Sequence, residues 1–121
     1  MFELCVRDHI AAAHFLRNYE GKCKNLHGHT WKIAIYIKSH QLNSVGMVVD
    51  FIDVKTNLKN FLTHLDHVCL NDLSYFKEVN PTTENLAKYV YVNFSKMISP
   101  LRLTKVEVWE SDTSSITYTE E

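Results

Sequence analysis

The sequence is poor in the features that mark membrane-spanning, secreted and nucleic-acid-binding proteins. No apolar run approaches the roughly 20 residues that a helix needs to cross a bilayer, and no signal-peptide core follows the charged N-terminus. The 13 basic residues are balanced by 14 acidic ones, so the basic excess typical of nucleic-acid binding is missing. Only 3 cysteines occur, at irregular spacing, which disfavours a disulfide framework. We therefore expect a cytoplasmic protein with neither a nucleic-acid nor a membrane partner.

The chain nevertheless has enough apolar residues to form a core. Its 121 residues match the usual size of one domain, and 45% of them are hydrophobic. We expect a single domain over residues 1–121, without a repeat, linker or low-complexity segment. The composition gives one hint of chemistry, which is its 7 histidines.

Alternating apolar and polar residues predict four strands. The alternation is clearest over residues 29–38 and is also present over residues 2–10, as expected of half-buried strands. Residues 103–110 and 116–119 follow the same pattern near the end of the chain, with a polar turn between them. The open edges of such a sheet are often paired with another subunit, so we expect an oligomer.

Two amphipathic helices are predicted between these pairs of strands. The first begins after Asp50, a good N-cap, and has apolar residues at helical spacing as far as Leu65. The second is capped by Thr82 or Thr83 and ends before Pro100, which has no amide hydrogen to donate. The order ββααββ predicts an α+β domain, with a four-stranded antiparallel sheet and two helices on one face.

The segment KCKNLHGH places His27 and His29 on either side of a glycine, at the start of the strongest strand. Both imidazoles would project from the apolar face, where each needs a polar partner, so a shared cation is an economical explanation. A surface turn with two histidines is the alternative. His14 changes this balance, because three neutral histidines would hold zinc and leave a position open, as in catalytic sites. Alone, His14 would be an ordinary core or loop histidine.

Cys23 has two candidate roles in this segment. As a fourth ligand, its sulfur would complete a structural zinc site; as a free thiol beside an open metal, it could remove a proton from a substrate. The flanking Lys22 and Lys24 favour the thiolate form. Two solvated loop lysines are the simpler interpretation.

Asp66, His67 and Glu110 are further candidates for chemistry. In the pair Asp66-His67, the carboxylate could fix the imidazole tautomer, although a helix-end histidine beside an unrelated aspartate is the alternative. Glu110 continues the apolar parity of its strand, so we expect a buried carboxylate with a partner. That partner is an internal cation, or a ligand that presents two N–H donors side by side.

Segments along essentially the whole chain together resemble the 6-pyruvoyl-tetrahydropterin synthase family. The matching segments are AAHFL around His14, CKNLHGHTW from Cys23, GMVVDF from Gly46, LDHVCLN from Leu65, PTTENLA from Pro81 and VEVWES past Glu110. The pattern Cys-x-x-x-His-Gly-His in particular resembles the bacterial 6-carboxy-5,6,7,8-tetrahydropterin synthase branch of the family. This branch supplies an intermediate of queuosine, a 7-deazapurine.

The resemblance implies a fold, an assembly and a metal. The fold is the tunnelling fold (T-fold), whose members form trimers that pair as hexamers with active sites between subunits. Zinc would be bound by His14, His27 and His29 and would in turn bind the hydroxyls of the substrate side chain. Cys23 would be the base that removes a proton.

The same resemblance implies roles for the remaining candidates. Asp66 with His67 would form the relay for the other proton, and Glu110 would anchor the pterin ring. The segment Thr82-Thr83-Glu84 would line the same pocket. Lysines 22 and 24, together with Arg17, are candidates to receive the phosphates.

The implied enzyme is a lyase that acts on 7,8-dihydroneopterin triphosphate. Its products would be 6-carboxy-5,6,7,8-tetrahydropterin, acetaldehyde and triphosphate. Formation of the 6-pyruvoyl product from the same substrate is one alternative, because members with that activity share the zinc and glutamate sites. A non-catalytic module that binds zinc or a pterin is the second alternative.

Overall fold

A five-stranded sheet and two α-helices form the protein. The computed structural model describes residues 1–120, and Glu121, the last residue of the expected domain, lies outside the described residues. The strands are β1 (Phe2–His14), β2 (His27–Ser39), β3 (Val68–Cys69), β4 (Arg102–Ser111) and β5 (Ser114–Tyr118); the helices are α1 (Phe51–Leu62) and α2 (Thr83–Ile98). Within residues 1–120, no helix has the length and apolar character to cross a membrane.

The strand order is β3-β1-β2-β4-β5, and the pairs among β1, β2, β4 and β5 are antiparallel. The predicted α+β class and ββααββ order of the longer elements are confirmed. The prediction of four strands in a purely antiparallel sheet was wrong, because β3 pairs in parallel with β1 at Ala12 and Ala13. A strand of two residues is too short to show any alternation, so its pairing has no signal in the sequence.

The first strand is longer than its sequence pattern indicates. It was expected to end at Ile10, with His14 beyond it, but it continues through three alanines to His14. Alanine has little preference for strands, and here pairing with β2 determines the conformation. In that pairing, His14 lies opposite His27 and Ala12 lies opposite His29. Since side chains alternate along a strand, all three histidines project from one face.

The ends of both helices agree with the sequence signals. The Asp50 carboxylate accepts a hydrogen bond of 2.9 Å from the Ile52 N–H and caps α1. The Thr82 hydroxyl accepts one of 3.1 Å from the Asn85 N–H and caps α2, which ends at Ile98 before Pro100. Helix α1 is shorter than predicted, because its last turn, Thr63–Leu65, is a 3₁₀ turn.

The core lies between the sheet and the two helices, which contribute to one cluster of buried side chains. Its central strand is β2, where Trp31, Ile33, Ile35 and Ile37 are fully buried. The helices contribute Val54, Leu58, Phe61, Leu62, Leu86, Ala87, Val90, Phe94 and Ile98. The histidine end of the sheet is therefore an extension of a packed hydrophobic face, which fixes the backbone of β1 and β2.

Candidate metal centre and active site

Three histidines converge where β1 ends and β2 begins. One ring nitrogen of each of His14, His27 and His29 lies within 4.8 Å of the corresponding nitrogens of the other two. The nearest pair is His14 Nε2 and His27 Nε2, at 3.0 Å. His14 is almost completely buried, with 1% of its surface exposed, whereas the other two are partly accessible. The cluster is thus held by the core on one side and open on the other.

Backbone carbonyl groups determine which nitrogen of two rings carries the proton. His14 Nδ1 lies 2.7 Å from the Pro81 carbonyl oxygen, and His27 Nδ1 lies 2.7 Å from the Asn25 carbonyl oxygen. Because a carbonyl oxygen only accepts, Nδ1–H must be the donor in both contacts. The neutral rings therefore direct their Nε2 lone pairs into the cluster, toward each other.

His29 completes the case for a cation at this position. Its Nε2 atom is buried and has no hydrogen-bond partner among the described residues. Burial lowers the pKa of His14 and of His29, which favours their neutral, metal-binding forms over imidazolium. Three converging imidazole nitrogens, one of them an unsatisfied buried atom, fit a metal ion, and imidazole is a preferred ligand of zinc. The residues present therefore match the expected group.

Trp31 lies against the cluster from the core side. The centroid of its ring is 4.9 Å from that of His14 and 5.1 Å from that of His29, and both contacts are edge-to-face. The indole N–H donates a hydrogen bond of 3.2 Å to the Ala12 carbonyl oxygen, which joins β1 to β2 beneath the histidines. The packing of the indole ring against His14 and His29 restricts the rotation of these two candidate ligands.

Glu110 lies beside the histidines on β4. Its Oε1 atom is 3.8 Å from His29 Nε2, and its Oε2 atom is 4.0 Å from His14 Nε2. The Thr83 hydroxyl, on the first residue of α2, donates a hydrogen bond of 3.1 Å to Oε2. We expected a buried carboxylate, but the Glu110 side chain is 35% exposed. The difference arises because the carboxylate lies on the open side of the cluster. This position leaves a carboxylate edge available to a ligand.

The segment Thr82-Thr83-Glu84 reaches this site through Thr83. The Thr82 hydroxyl accepts from the Asn85 N–H as the cap of α2, and Glu84 is exposed to solvent in the first turn. In the described part of the chain, only Thr83 of the three forms a side-chain hydrogen bond to Glu110. The start of α2 is therefore placed next to the carboxylate.

Cys23 lies in a short 3₁₀ turn, Lys22–Lys24, between β1 and β2. The Leu16 N–H donates a hydrogen bond of 2.8 Å to the Cys23 carbonyl oxygen, which ties this turn to the segment just after His14. The thiol is free and partly buried. Within residues 1–120, the cluster of potential metal ligands at this position consists of the three histidines and does not include the Cys23 sulfur.

Asp66 and His67 lie at the edge of the sheet, just before β3. Asp66 Oδ1 accepts a hydrogen bond of 2.8 Å from the Ala11 N–H and lies 3.0 Å from His67 Nδ1. The Ala11 hydrogen bond is the main cause of the lowered pKa of Asp66, and His67 adds to it. His67 adopts a left-handed backbone conformation, with φ 59°, and its side chain is 80% exposed. The two side chains form the expected pair, and among the described residues neither forms a hydrogen bond or an ion pair with the three clustered histidines.

Arg17 has a structural role in the chain. Its guanidinium group donates hydrogen bonds of 2.7 Å and 3.0 Å to the carbonyl oxygens of Phe76 and Val79. Lys22 and Lys24, in contrast, are exposed. Of the three candidates to bind phosphate, Lys22 and Lys24 therefore have the more accessible charged groups, because the Arg17 guanidinium group is bonded to backbone carbonyl oxygens.

Comparison with known proteins places the chain in a family. A family model described as "PTPS: 6-pyruvoyl tetrahydropterin synthase" matches residues 3–121. The chain belongs to this family. The resemblance inferred from the motifs is therefore confirmed.

Relatives with two different names are similar to this family member. It is 38% identical over 112 residues to 6-carboxy-5,6,7,8-tetrahydropterin synthase of Synechocystis sp., with 88% of this chain and 84% of the relative covered. It is 35% identical over 102 residues to human 6-pyruvoyl tetrahydrobiopterin synthase, with 81% of this chain and 70% of the relative covered. The expectation of a pterin synthase is thus supported by relatives of both branches.

The tunnelling fold is confirmed by structural comparison. The structure of Caenorhabditis elegans 6-pyruvoyl tetrahydropterin synthase superposes with a TM-score of 0.89 at 26% sequence identity. The superposition covers 99% of this chain and 96% of the nematode protein.

Proposed function

We propose that the protein is a zinc-dependent lyase that acts on 7,8-dihydroneopterin triphosphate. The products would be 6-carboxy-5,6,7,8-tetrahydropterin, acetaldehyde and triphosphate, formed with the uptake of water. The observation that carries this proposal is the convergence of three imidazole nitrogens, one of them buried without a hydrogen-bond partner among the described residues, beside the carboxylate of Glu110. Membership of a family whose relatives carry the name of this synthase supports it.

The ligands in this proposal are His14, His27 and His29. Zinc bound there would act as a Lewis acid toward the hydroxyls of the substrate side chain and would acidify the adjacent C–H bond. Two of the three rings already have Nδ1–H donated to a backbone carbonyl, so their Nε2 lone pairs are preset for coordination. Metal binding would therefore require little rearrangement of these two side chains.

Cys23 is the proposed base. The turn that carries it is joined to the segment after His14, and its sulfur is absent from the ligand cluster of the described chain, so it is free for proton transfer. Asp66 and His67 are proposed to handle the other proton. They are exposed at a sheet edge and, among the described residues, form no hydrogen bond to the clustered histidines, which suits a relay that completes a neighbouring subunit's site.

Glu110 is the proposed anchor of the pterin ring. A pterin presents an amino group and a ring N–H side by side, and a carboxylate accepts such a pair in two-point geometry. The Thr83 hydroxyl holds one carboxylate oxygen at 3.1 Å and so fixes the orientation of the group. Thr82 and Glu84, which flank Thr83, complete the proposed wall of the pocket.

The proposal includes an assembly and a cellular context. We propose one domain over residues 1–121 that assembles as trimers paired into hexamers, as the family resemblance implies. The open edges of the sheet, at β5 and along most of β1, support pairing with other subunits. The proposed context is queuosine biosynthesis in the cytoplasm. Three free thiols suit a reducing compartment.

The experiment that tests the function is incubation of the metal-free protein with 7,8-dihydroneopterin triphosphate, with and without added zinc. Mass analysis of the pterin and an assay for acetaldehyde report the product. We expect the 6-carboxy product and acetaldehyde only in the zinc-containing sample. A 6-pyruvoyl product would assign the sister activity, for which the human relative gives support. Absence of turnover in both samples would favour a zinc- or pterin-binding module.

A further inference from the structure

Two asparagine side chains hold the segment that follows His14. Asn71 accepts a hydrogen bond of 3.0 Å from the Phe15 N–H and donates one of 2.9 Å to the Phe15 carbonyl oxygen. Asn80 repeats this arrangement with Arg17, at 2.9 Å in both directions. Each amide thus pairs with both polar groups of one backbone residue, as a neighbouring strand would.

Asn80 also organises the chain on its own side. Its backbone carbonyl oxygen accepts hydrogen bonds from the Thr82 N–H at 2.8 Å and from the Asn85 side-chain amide at 2.9 Å. The next residue, Pro81, is buried and gives its carbonyl oxygen to His14 Nδ1–H at 2.7 Å. Asn80 therefore connects the backbone just after one candidate ligand to the carbonyl group that fixes the tautomer of that ligand.

The same segment leads to Glu110. Thr82 caps α2, and Thr83 donates its hydroxyl hydrogen to the Glu110 carboxylate. A shift of residues 80–83 would therefore move the partner of His14 and the partner of Glu110 together. Asn71 lacks this double connection, since within residues 1–120 its side chain bonds only to Phe15 and to the Cys69 thiol, which lies at 3.7 Å.

We propose that Asn80 is a positioning residue of the metal centre, which holds the Pro81 carbonyl oxygen against His14 Nδ1–H and thereby keeps His14 Nε2 directed at the metal. The inference rests on the proposed metal centre, although not on the lyase reaction. Loss of a group that orients a metal ligand through its other ring nitrogen typically costs about 10–100-fold in metal affinity. Because Asn80 acts one hydrogen bond farther out, we expect the lower end of this range.

The test compares zinc affinity in the full chain, measured by competition with a chromophoric chelator. Asn80→Ala removes both hydrogen bonds to Arg17, and Asn80→Gln, which keeps the amide donor and acceptor on a longer side chain, is a milder variant if the alanine protein does not fold. Asn43→Ala is a matched control, because the Asn43 side chain accepts hydrogen bonds of 3.0 Å from the Val45 and Met47 N–H groups in a separate loop. We expect a Kd for zinc about tenfold higher for Asn80→Ala, a smaller rise for Asn80→Gln and no change for Asn43→Ala.

A second measurement separates positioning from general destabilisation. Ring ¹⁵N NMR of the metal-free protein reports which nitrogen of His14 is protonated, and His14→Gln identifies its signals. We expect Asn80→Ala to weaken the Nδ1–H signature, whereas Asn43→Ala retains it. If an Asn80 variant were less stable but kept its zinc affinity and its His14 signature, the positioning role of Asn80 would be overturned and the proposed metal centre would stand. Absence of zinc binding by the unsubstituted protein would overturn the proposed metal centre, and this inference with it.

Discussion

His14 Nε2 and His27 Nε2 lie 3.0 Å apart, although the proton of each neutral ring is on Nδ1. Two lone pairs at this distance repel unless a cation lies between them. His14 pairs with His27 across the two strands, and a backbone carbonyl oxygen binds Nδ1–H of each ring. These contacts hold the two Nε2 atoms close together despite the repulsion between their lone pairs. The arrangement of these nitrogens is therefore that of a ligand set suited to a positive charge.

Removal of any one clustered histidine should abolish tight zinc binding. His14→Ala, His27→Ala and His29→Ala each leave two imidazoles, which is fewer than the three protein ligands of a catalytic zinc site. Isothermal titration with zinc measures the effect. His9→Ala is the matched control, because His9 lies on the same strand with 71% of its side chain exposed. Zinc binding that survives all three cluster substitutions would place the metal elsewhere.

Substitution of Cys23 should separate catalysis from metal binding. Cys23→Ser should bind zinc normally and lose about 10²–10⁴-fold in kcat, the usual contribution of a positioned acid or base. Cys5→Ser serves as the control, since Cys5 lies on β1 and pairs with Tyr36, on the sheet face opposite the histidines. Steady-state kinetics and metal titration on the same preparation decide the matter. If Cys23→Ser lost zinc, its sulfur would be a ligand and the site structural.

Glu110 should govern substrate affinity more than metal affinity. In Glu110→Gln, one of the two acceptor oxygens becomes an amide donor that faces the N–H groups of the pterin, so we expect KM to rise by about tenfold or more. Thr83→Val, which removes only the hydroxyl that holds Oε2, should raise KM by less.

Glu107→Gln is the control for this effect. It removes a carboxylate from the same strand, where its partners are Tyr36 and Ser115. A KM that rises equally for Glu107→Gln and Glu110→Gln would contradict the assignment of Glu110 as the anchor.

The Asp66 carboxylate should make a stabilising contribution that depends on pH. Its pKa is below the ordinary value of 3.8, chiefly because the Ala11 N–H bonds to the charged form. A group with a lowered pKa in the folded state stabilises that state above about pH 3.8, and the contribution is lost as the pH falls through the folded-state value.

Thermal melts of Asp66→Asn across pH test this expectation. The amide oxygen of Asp66→Asn can still accept from Ala11, so the comparison isolates the charge. The variant should melt at a lower temperature than the unsubstituted protein near pH 7, and the difference should disappear at strongly acidic pH. Asp72→Asn, at an exposed aspartate, should show no such trend. A difference in melting temperature that is constant at all pH values would assign the effect to packing.

The parts of the fold with local signals were predicted from the sequence. Alternation along β2, the Asp50 and Thr82 caps and the proline after α2 are properties of neighbouring residues, and each element begins or ends close to the expected position. The pairing of β3 with β1 joins residues 56 positions apart, and the Asn80 bonds to Arg17 span 63 positions. Nothing in the residues near Asn80 in the sequence distinguishes it from an asparagine in an ordinary solvent-exposed loop.

The site was anticipated in its residue types more than in its supports. His14, His27 and His29 carry a chemical signature at their positions in the sequence, and they come together in the fold. The carbonyl groups of Pro81 and Asn25 carry none, because every residue has a carbonyl and only the tertiary structure selects two of them. The exposure of Glu110 was likewise missed, since strand parity indicates a face but not how far along it the core extends.

Trp31, packed under His14 and His29, supplies the protein with a fluorophore of its own. The chain has 2 tryptophans, and the second, Trp109, lies on β4 with its ring 5.8 Å from the Arg7 guanidinium carbon. Trp109→Phe would therefore leave a single tryptophan, whose indole touches two of the imidazoles and can be excited selectively at wavelengths that tyrosine does not absorb. Occupancy of the histidine cluster could then be followed in real time as a change in ultraviolet emission, without any label attached to the protein.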